Sequence, residues 1–242
     1  MRRVLFGIAC VAGVAGCATP APEGALIADP WERTNREIHE FNKGLDVVLV
    51  RPVSFVYREA TPDLFQFLIS NFVEHLRLPV IAVNDVLQGE FERGLSTVGR
   101  FAVNTLVGAG GLLDPATEFG LPYDPNDGGI TLARAGAEEG AFVVLPLLGP
   151  TTVRDGFGRL FDFAIDPFNF LRVPGGAAGE VARVAVPVVD VRSRNFELID
   201  EVLYETEDSY VTVRAATVQN LRRRLRDRDL VDPESLPDIF GE

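Results

Sequence analysis

The sequence predicts an all-α fold, and two observations support this prediction. Between Asp29 and Gly108, apolar residues recur every three or four positions in successive stripes, which is the spacing of amphipathic helices. Proline or glycine stands at the corner between one stripe and the next, as at helix ends. The chain has two cysteines, Cys10 and Cys17, and we expect neither to form a disulfide. We therefore expect a single domain that is held together by packing.

The first predicted helix runs from about Pro30 to Leu45. It begins with the residues DPWE from Asp29, in which an acidic cap, a first-turn proline and a glutamate form a capping box. Its apolar stripe contains Trp31, Ile38, Phe41 and Leu45. The opposite face is charged, so we expect His39 to lie on the solvated side.

Three further helices are predicted before Gly108. The second begins at Thr61-Pro62-Asp63 and ends at Pro79, which then opens the third. The third ends at Gly89, and the fourth runs from Glu90 to Val107. Their stripes contain Phe65, Leu68, Phe72 and Leu76; Ile81, Val83 and Val86; and Phe91, Leu95, Val98, Phe101 and Leu106.

The second half of the chain has a mixed pattern. Glycine and proline punctuate residues 108–129, which predicts loops and short turns. The apolar run from Ala141 to Leu148 fits a buried strand or a buried helical turn, although Pro146 is unsuited to a central strand. Thr152 and Asp155 predict another capped helix start. Two late helices are predicted at about Val188 to Tyr204 and Asp208 to Arg226.

The N-terminus has the pattern of a bacterial lipoprotein. Arg2 and Arg3 precede the apolar stretch Val4–Gly16, which is shorter than the ~20 residues needed to span a bilayer. The stretch ends in Val-Ala-Gly-Cys, which resembles a lipobox. We therefore expect residues 1–16 to be a signal peptide that is removed and Cys17 to become a lipid-carrying N-terminus. No aspartate follows Cys17, which resembles lipoproteins delivered to the periplasmic face of the outer membrane.

These boundaries define the expected domain organisation. Residues 17–28 are rich in proline and alanine and predict a flexible tether. Residues 29–228 form the predicted helical domain. Residues 229–242 are acidic and contain proline, so we expect a mobile tail.

Composition narrows the possible partners. The formal net charge is -12, which argues against nucleic acid because phosphate binding needs concentrated positive charge. Hydrophobic residues make up 47% of the chain, and 17 residues are phenylalanine. This apolar content has two open interpretations: a large internal core, or surface that faces lipid.

Motifs for catalysis, cofactors and metals are incomplete. The segment from Gly94 to Gly99 has one residue too many for a nucleophile elbow, and the segment from Asp124 to Gly128 is out of register for a calcium loop. Lys43 is the only lysine, and it follows no phosphate-binding glycine loop. We expect no cofactor, no metal and no enzymatic activity. Catalysis by a pair of carboxylates that act as acid and base stays an alternative, because the sequence does not show which carboxylates lie close together in space.

Several unusual strings together carry a family resemblance. They are DPWERTNREIHEFNKGLD from Asp29, RPV from Arg51, SNF from Ser70, LPVIAVNDVLQG from Leu78, RFAVNTLVGAGGLLDPAT from Arg100 and VLPLLGPTTVRD from Val144. Over roughly Asp29 to Tyr210 the chain resembles the VacJ/MlaA family of outer-membrane lipoproteins.

The resemblance implies both a fold and a function. It implies a single domain of amphipathic helices arranged as a ring around a central channel, lying in the plane of the membrane. Phospholipid mislocalised in the outer leaflet would pass through the channel to a soluble periplasmic carrier, and trimeric porins would be partners. Two alternatives stay open: a structural lipoprotein that braces porins without moving lipid, and a lipid hydrolase.

The resemblance also implies site residues. Phe41 and Asn42 match a position near the channel, and Gly136 and Gly140 match glycines that flank a gating loop. Phe41 could instead belong to the core, Asn42 could bind a nearby backbone, and the glycines could serve a plain turn. The loop departs from the family at Arg134, Glu138 and Glu139, which leaves its gating open.

Two charged motifs have alternative interpretations. Arg154-Asp155 fits a capping and salt-bridge feature or a lipid contact. The basic run from Arg222 to Arg228 fits a solvated helix end, or a docking site for lipid phosphate or the carrier.

Overall fold

The computed structural model describes residues 26–170 and 177–228, and it confirms the all-α fold. In the second range, side chains are described from residue 181 onward. The predicted signal peptide, Cys17, most of the tether and the acidic tail lie outside the described residues.

Helices account for most of the described chain. They are α1 (Glu32–Leu45), α2 (Arg51–Ala60), α3 (Asp63–Leu87), α4 (Phe91–Leu106), α5 (Pro115–Glu118), α6 (Gly128–Arg134), α7 (Val153–Ile165), α8 (Ala177–Arg194), α9 (Phe196–Asp200) and α10 (Ser209–Arg226). Single π-helical turns at Asp46–Val50 and Glu201–Glu205 follow α1 and α9, and a short 3-10 turn, Pro167–Asn169, follows α7.

The predicted start of the first helix is wrong in detail. Helix α1 begins at Glu32 rather than Pro30, and the Asp29 side chain does not cap it. The Asp29 carboxylate instead accepts hydrogen bonds from Asn35 and Tyr210 and pairs with Arg214 at 2.7 Å. Asp29 therefore connects the segment before α1 to the last helix, α10, and does not cap α1.

Pro79 does not separate two helices, as the sequence predicted. It lies inside α3, which runs unbroken over 25 residues. A proline inside a helix costs about 3 kcal/mol of helix stability. We attribute its tolerance here to the packing of α3 against α4 and α8. Gly89, with φ at +76°, follows the end of α3 as predicted.

The apolar run from Ala141 to Leu148 forms a strand and a turn of a two-stranded hairpin, rather than a buried helical turn. Strand β1 (Phe142–Leu145) pairs antiparallel with β2 (Gly149–Thr152), and Phe142 lies opposite Thr152. The strand ends before Pro146, which lies in the turn. The Thr152 hydroxyl accepts from the Asp155 backbone N–H at 3.3 Å, so the predicted cap of α7 is confirmed.

The late helices differ from prediction mainly at their starts. Helix α8 begins at Ala177, well before the predicted Val188, and contains Pro187. A turn at Asn195 separates it from α9. Helix α10 begins at Ser209 after Asp208, whose side chain accepts from the Val211 N–H.

Apolar residues are distributed in an unusual way. A small apolar core forms between α1, the hairpin and α10, from Ile27, Phe142, Val144, Tyr210 and Val218. Many other large apolar side chains are exposed. They include most members of the predicted inward stripes: Trp31, Phe41, Phe65, Phe72, Phe91, Leu95, Val98 and Leu106. The side chains buried in their place are largely polar or charged, so the apolar stripes of α1, α3 and α4 largely face outward.

Within the described ranges, none of the helices combines the length and apolar content needed to cross a membrane.

Candidate functional site: an amphipathic cavity

A cavity of about 430 Å³ lies between three long helices and the loop before α6. Its apolar lining comes mainly from α3 and α8: Val73, Leu76, Val80, Ile81, Val184, Pro187 and Val191, with Phe163 and Phe168 nearby. Its charged lining consists of Arg77, Asp127, Asp162, Asp166 and Arg183. A cavity with one apolar wall and several charges can hold an amphipathic molecule, since each part of that molecule meets a matching surface.

Most of the charged lining is already paired. Arg183 contacts Asp166 at 3.0 Å, and Asp127 pairs with Arg224 of α10. Asp162 accepts hydrogen bonds from the Gly128 N–H at 2.9 Å and from Asn84 at 2.8 Å. Burial raises the pKa of Asp162, and these two hydrogen bonds partly offset that rise.

Two glycines allow α6 and α7 to approach closely beside the cavity. A Cβ atom on Gly158 would lie 2.2 Å from the backbone nitrogen of Gly129, and a Cβ on Gly128 would lie 2.5 Å from the Gly158 carbonyl oxygen. No side chain fits at such distances. The contact brings the start of α6 onto α7, where Asp162 receives the Gly128 N–H.

A second cavity of about 380 Å³ lies further toward the N-terminal end of α3. It is lined by Asp63, Gln66, Phe67, Ser70, Asn71 and Glu74, with Arg194 from the end of α8. Ser70 donates to Asp190 at 3.1 Å, and Arg194 pairs with the same carboxylate at 2.7 Å. Helices α3 and α8 therefore line both cavities.

Buried ion pairs connect the helices elsewhere in the interior. Arg192 donates to Asp46 at 3.0 Å and also pairs with Asp200. The Tyr204 hydroxyl donates to the same Asp46 carboxylate at 2.7 Å. This cluster connects the two π-helical turns to the end of α8.

Phe41 and Asn42 do not line the amphipathic cavity. Phe41 is 54% exposed on the outer face of α1, so the alternative of a core position is wrong. Asn42 donates to the Leu145 carbonyl at 3.0 Å and accepts from the Leu147 N–H at 2.9 Å. Asn42 thus binds a nearby backbone and holds the tip of the hairpin.

Gly136 and Gly140 flank the turn between α6 and β1. Both have positive φ, +88° and +72°, which favours glycine. A Cβ on Gly136 would meet nothing within 4 Å, whereas one on Gly140 would lie 3.0 Å from the Val153 Cβ. Gly140 is therefore required both by its positive φ and by the close approach of Val153, whereas Gly136 is favoured by its φ alone.

The charged residues of this turn are paired at both ends. Arg134 pairs with Glu90, and Glu139 contacts Arg222 at 2.8 Å. Two arginines of the basic run, Arg222 and Arg224, therefore form ion pairs within the chain. Arg154 and Asp155 pair at 2.8 Å in a buried position, as the capping interpretation expected.

The two histidines lie away from the cavity lining. His39 is buried rather than solvated, contrary to expectation, and its Nε2 lies 3.0 Å from the Ser209 hydroxyl. His75 stacks on Phe101 with ring centroids 4.6 Å apart. In the part of the chain that the structure describes, no group of three or more His, Cys, Asp or Glu residues could hold a metal ion.

Comparison with known proteins identifies the family. The MlaA lipoprotein family matches residues 27–224. The chain belongs to this family. A Haemophilus influenzae relative named intermembrane phospholipid transport system lipoprotein MlaA is 30% identical over 98% of this chain and 96% of its own. An uncharacterised Rickettsia bellii protein is 34% identical over 80% of this chain and 75% of its own.

A solved structure supports the MlaA fold. It comes from work on the structural basis for maintenance of bacterial outer membrane lipid asymmetry, and its TM-score to this chain is 0.70. The two chains are 31% identical, and the match covers 82% of this chain and 99% of the other. At this similarity, the MlaA family fold is shared over nearly all of the solved chain.

Most of the cavity residues of this MlaA family member carry no motif that marks them in the sequence. Arg77, Asp162 and Arg183 were not singled out, because each stands among apolar residues that looked like core. A signal was present in α3, where Ser70, Glu74 and Arg77 recur at helical spacing opposite the exposed apolar stripe.

Proposed function

We propose that this chain is a lipoprotein of the outer membrane that removes mislocalised phospholipid from the outer leaflet. The lipid would pass through a central channel to a soluble periplasmic carrier, which would maintain lipid asymmetry. No covalent bond in the lipid is made or broken in this proposal. Cys17 would carry the lipid anchor at the periplasmic face of the membrane, and trimeric porins would be partners.

The observation that carries the proposal is the amphipathic cavity, which lies in a domain with many exposed large apolar side chains. A phospholipid needs a polar passage for its headgroup, because burying that group unpaired costs several kcal/mol. Apolar helices can lie in hydrocarbon because they satisfy their own backbone hydrogen bonds. We therefore propose that the helices form a ring in the membrane plane, with this cavity as part of its channel.

Names and descriptions of relatives support the same function. The Haemophilus influenzae relative is named for intermembrane phospholipid transport, and the work on the similar solved structure concerns outer-membrane lipid asymmetry. Acyl chains supply the anchoring energy that this acidic chain would not gain from an anionic membrane surface.

We propose a role in gating for the turn between Gly136 and Gly140 and for the hairpin tip beside Asn42. The turn is held at its ends by the pairs Arg134 with Glu90 and Glu139 with Arg222. Breaking both pairs would free the segment. Asn42 would act by fixing the hairpin tip, and Phe41 by contacting lipid or a porin from the outer face of α1.

Lipid occupancy of the purified, acylated protein tests the proposal. We expect co-purified intact phospholipid by mass spectrometry, and we expect Val80→Trp to reduce it because the indole would fill the cavity. Val83→Trp is the matched control, since Val83 lies on the same helix and is exposed. Absence of phospholipid from the unmodified protein would favour a porin-bracing role, and lipid cleavage on incubation would favour a hydrolase.

A further inference from the structure

Arg77 is a cation within the apolar wall of the amphipathic cavity. On α3, Val73 lies four positions before it, and Val80 and Ile81 lie three and four positions after it. Residues three and four positions apart share a helix face, so these apolar side chains are its neighbours. All four side chains line the cavity. The part of the wall that α3 supplies is therefore apolar around one positive charge.

The Arg77 guanidinium has no partner within the described chain. Over residues 26–170 and 177–228 it forms neither an ion pair nor a hydrogen bond. The residue is exposed, so a ligand that enters the cavity can reach it. An arginine stays charged at physiological pH and presents a planar fork of N–H donors. These donors are open to an anionic group of a ligand.

The acids of the cavity lining have contacts of their own. Asp127 pairs with Arg224, and Asp166 pairs with Arg183 at 3.0 Å. Asp162 accepts a backbone N–H at the start of α6 with both of its carboxylate oxygens. A ligand can therefore bind the α3 guanidinium without breaking an ion pair that the described chain already contains.

We propose that Arg77 binds the phosphate diester of a phospholipid in this cavity, whatever alcohol forms the rest of the headgroup. This inference rests on the proposed function and assigns a specificity-determining residue to it. A phosphate diester has two unesterified oxygens, and one guanidinium can donate to both of them. Val73 and Val80, on either side of Arg77, contact the first carbons of the acyl chains.

The same arrangement discriminates against a lipid without a phosphate. Diacylglycerol can contact the same apolar walls, but it covers the Arg77 guanidinium without supplying an anion. Taking a charge out of water without a partner costs free energy. The cavity should therefore favour a phospholipid over a diacylglycerol that has the same acyl chains.

Equilibrium binding to the full acylated protein in detergent tests the proposal. The probes are labelled phosphatidylethanolamine, phosphatidylglycerol and diacylglycerol with identical acyl chains. We expect Arg77→Gln to weaken the binding of both phospholipids by about five- to tenfold, because charge-assisted hydrogen bonds to the phosphate are lost. Diacylglycerol affinity should change by less than about twofold. Arg77→Lys keeps the charge but not the fork, so its phospholipid affinity should be intermediate.

Arg226→Gln is the matched control, because Arg226 is exposed and lies outside the cavity lining. It should bind all three lipids as the unmodified protein does. Unchanged phospholipid binding by Arg77→Gln, or an equal loss for diacylglycerol, would overturn the proposal. A loss confined to one phospholipid would also overturn it, because both carry the phosphate. Melting curves that match that of the control exclude misfolding as the cause of a loss.

A second arm separates a lipid phosphate from free phosphate. Inorganic phosphate should bind at least about a hundredfold more weakly than either phospholipid, because it buries no acyl chain. Equal affinity would assign Arg77 to a soluble anion instead. If the unmodified protein binds neither phospholipid, the proposed function fails. If it binds phospholipid and diacylglycerol equally well, and Arg77→Gln does the same, only the role of Arg77 fails.

Discussion

Arg228 and Asp85 form a buried ion pair between the end of the described chain and the third helix. The Arg228 side chain is 3% exposed, and its Nη1 lies 3.4 Å from the Asp85 Oδ1. Glu90 contacts the same guanidinium at 2.7 Å. Asp85 also accepts hydrogen bonds from Thr97 and Asn126. The segment after α10 is thereby fixed to the corner between α3 and α4.

Loss of this arginine should destabilise the domain strongly. Arg228→Ala removes the buried cation that Asp85, Glu90 and Asp124 share, and it leaves buried Asp85 without an ion-pair partner. Breaking such a buried pair costs about 3–5 kcal/mol. Arg226→Ala, two positions earlier and exposed, should change stability by less than about 0.5 kcal/mol. Denaturant unfolding of both variants checks this, and equal unfolding free energies would contradict it.

The contact between α6 and α7 should tolerate no added methyl group. We expect Gly158→Ala to destabilise by about 1–3 kcal/mol, since its Cβ would overlap the Gly129 backbone. Gly156→Ala in the same helix is the matched control, because its Cβ would lie 3.6 Å from Thr151 Cγ2. Alanine there should be neutral or slightly stabilising. Thermal melts that rank the two variants in the opposite order would rule this out.

Asn42 should control the hairpin tip rather than contact the lipid. Leu147 adopts a φ of +66°, which is strained for a leucine, and its N–H donates to Asn42. Asn42→Ala should speed hydrogen exchange at the Leu147 amide by about tenfold, as expected for the loss of a bond worth roughly 1 kcal/mol. Phe41→Leu should leave that exchange rate unchanged. Unchanged exchange in Asn42→Ala would show that the tip is held by other contacts.

The stability should depend on pH through His39. Burial lowers the pKa of His39, so the unfolded chain binds a proton at a higher pH than the folded chain. Stability should therefore fall as pH drops below about 6.5, by at most about 1.4 kcal/mol for each pH unit. His39→Gln should lack this component. Unfolding free energies of both proteins between pH 7 and pH 5 measure the difference, and parallel curves would refute the assignment.

The positions of most helices could be predicted from the sequence, because periodicity is a local property. Which face of each helix points inward could not. In α1 the apolar stripe through Phe41 was expected to be buried, yet Asn35 and His39 are buried instead, as is Asp46 in the π-helical turn that follows. Periodicity is identical for both orientations of a helix, so it does not show which face is buried. Here many apolar stripe residues are exposed, whereas a surface helix of a water-soluble domain buries its apolar stripe.

The bounds of two helices that contain proline were also predicted wrongly. Pro79 and Pro187 were expected to end or precede helices, but each lies inside a helix that lines the amphipathic cavity. Long-range packing decides whether a helix continues through proline, and a local pattern does not contain that information. The candidate site could not be predicted either, because Arg77 and Asp162 line the same cavity but lie far apart in the sequence.

The central claim is tested most directly by the amount of phospholipid exposed in the outer leaflet of intact cells. Cells that lack the gene should accumulate it, and the unmodified protein or the Val83→Trp control should restore the normal level. Cys17→Ala, which removes the anchor, and Val80→Trp, which fills the cavity, should fail to restore it while accumulating as folded protein. An unchanged outer leaflet in cells without the gene, or full rescue by Val80→Trp, would contradict lipid transport through this cavity.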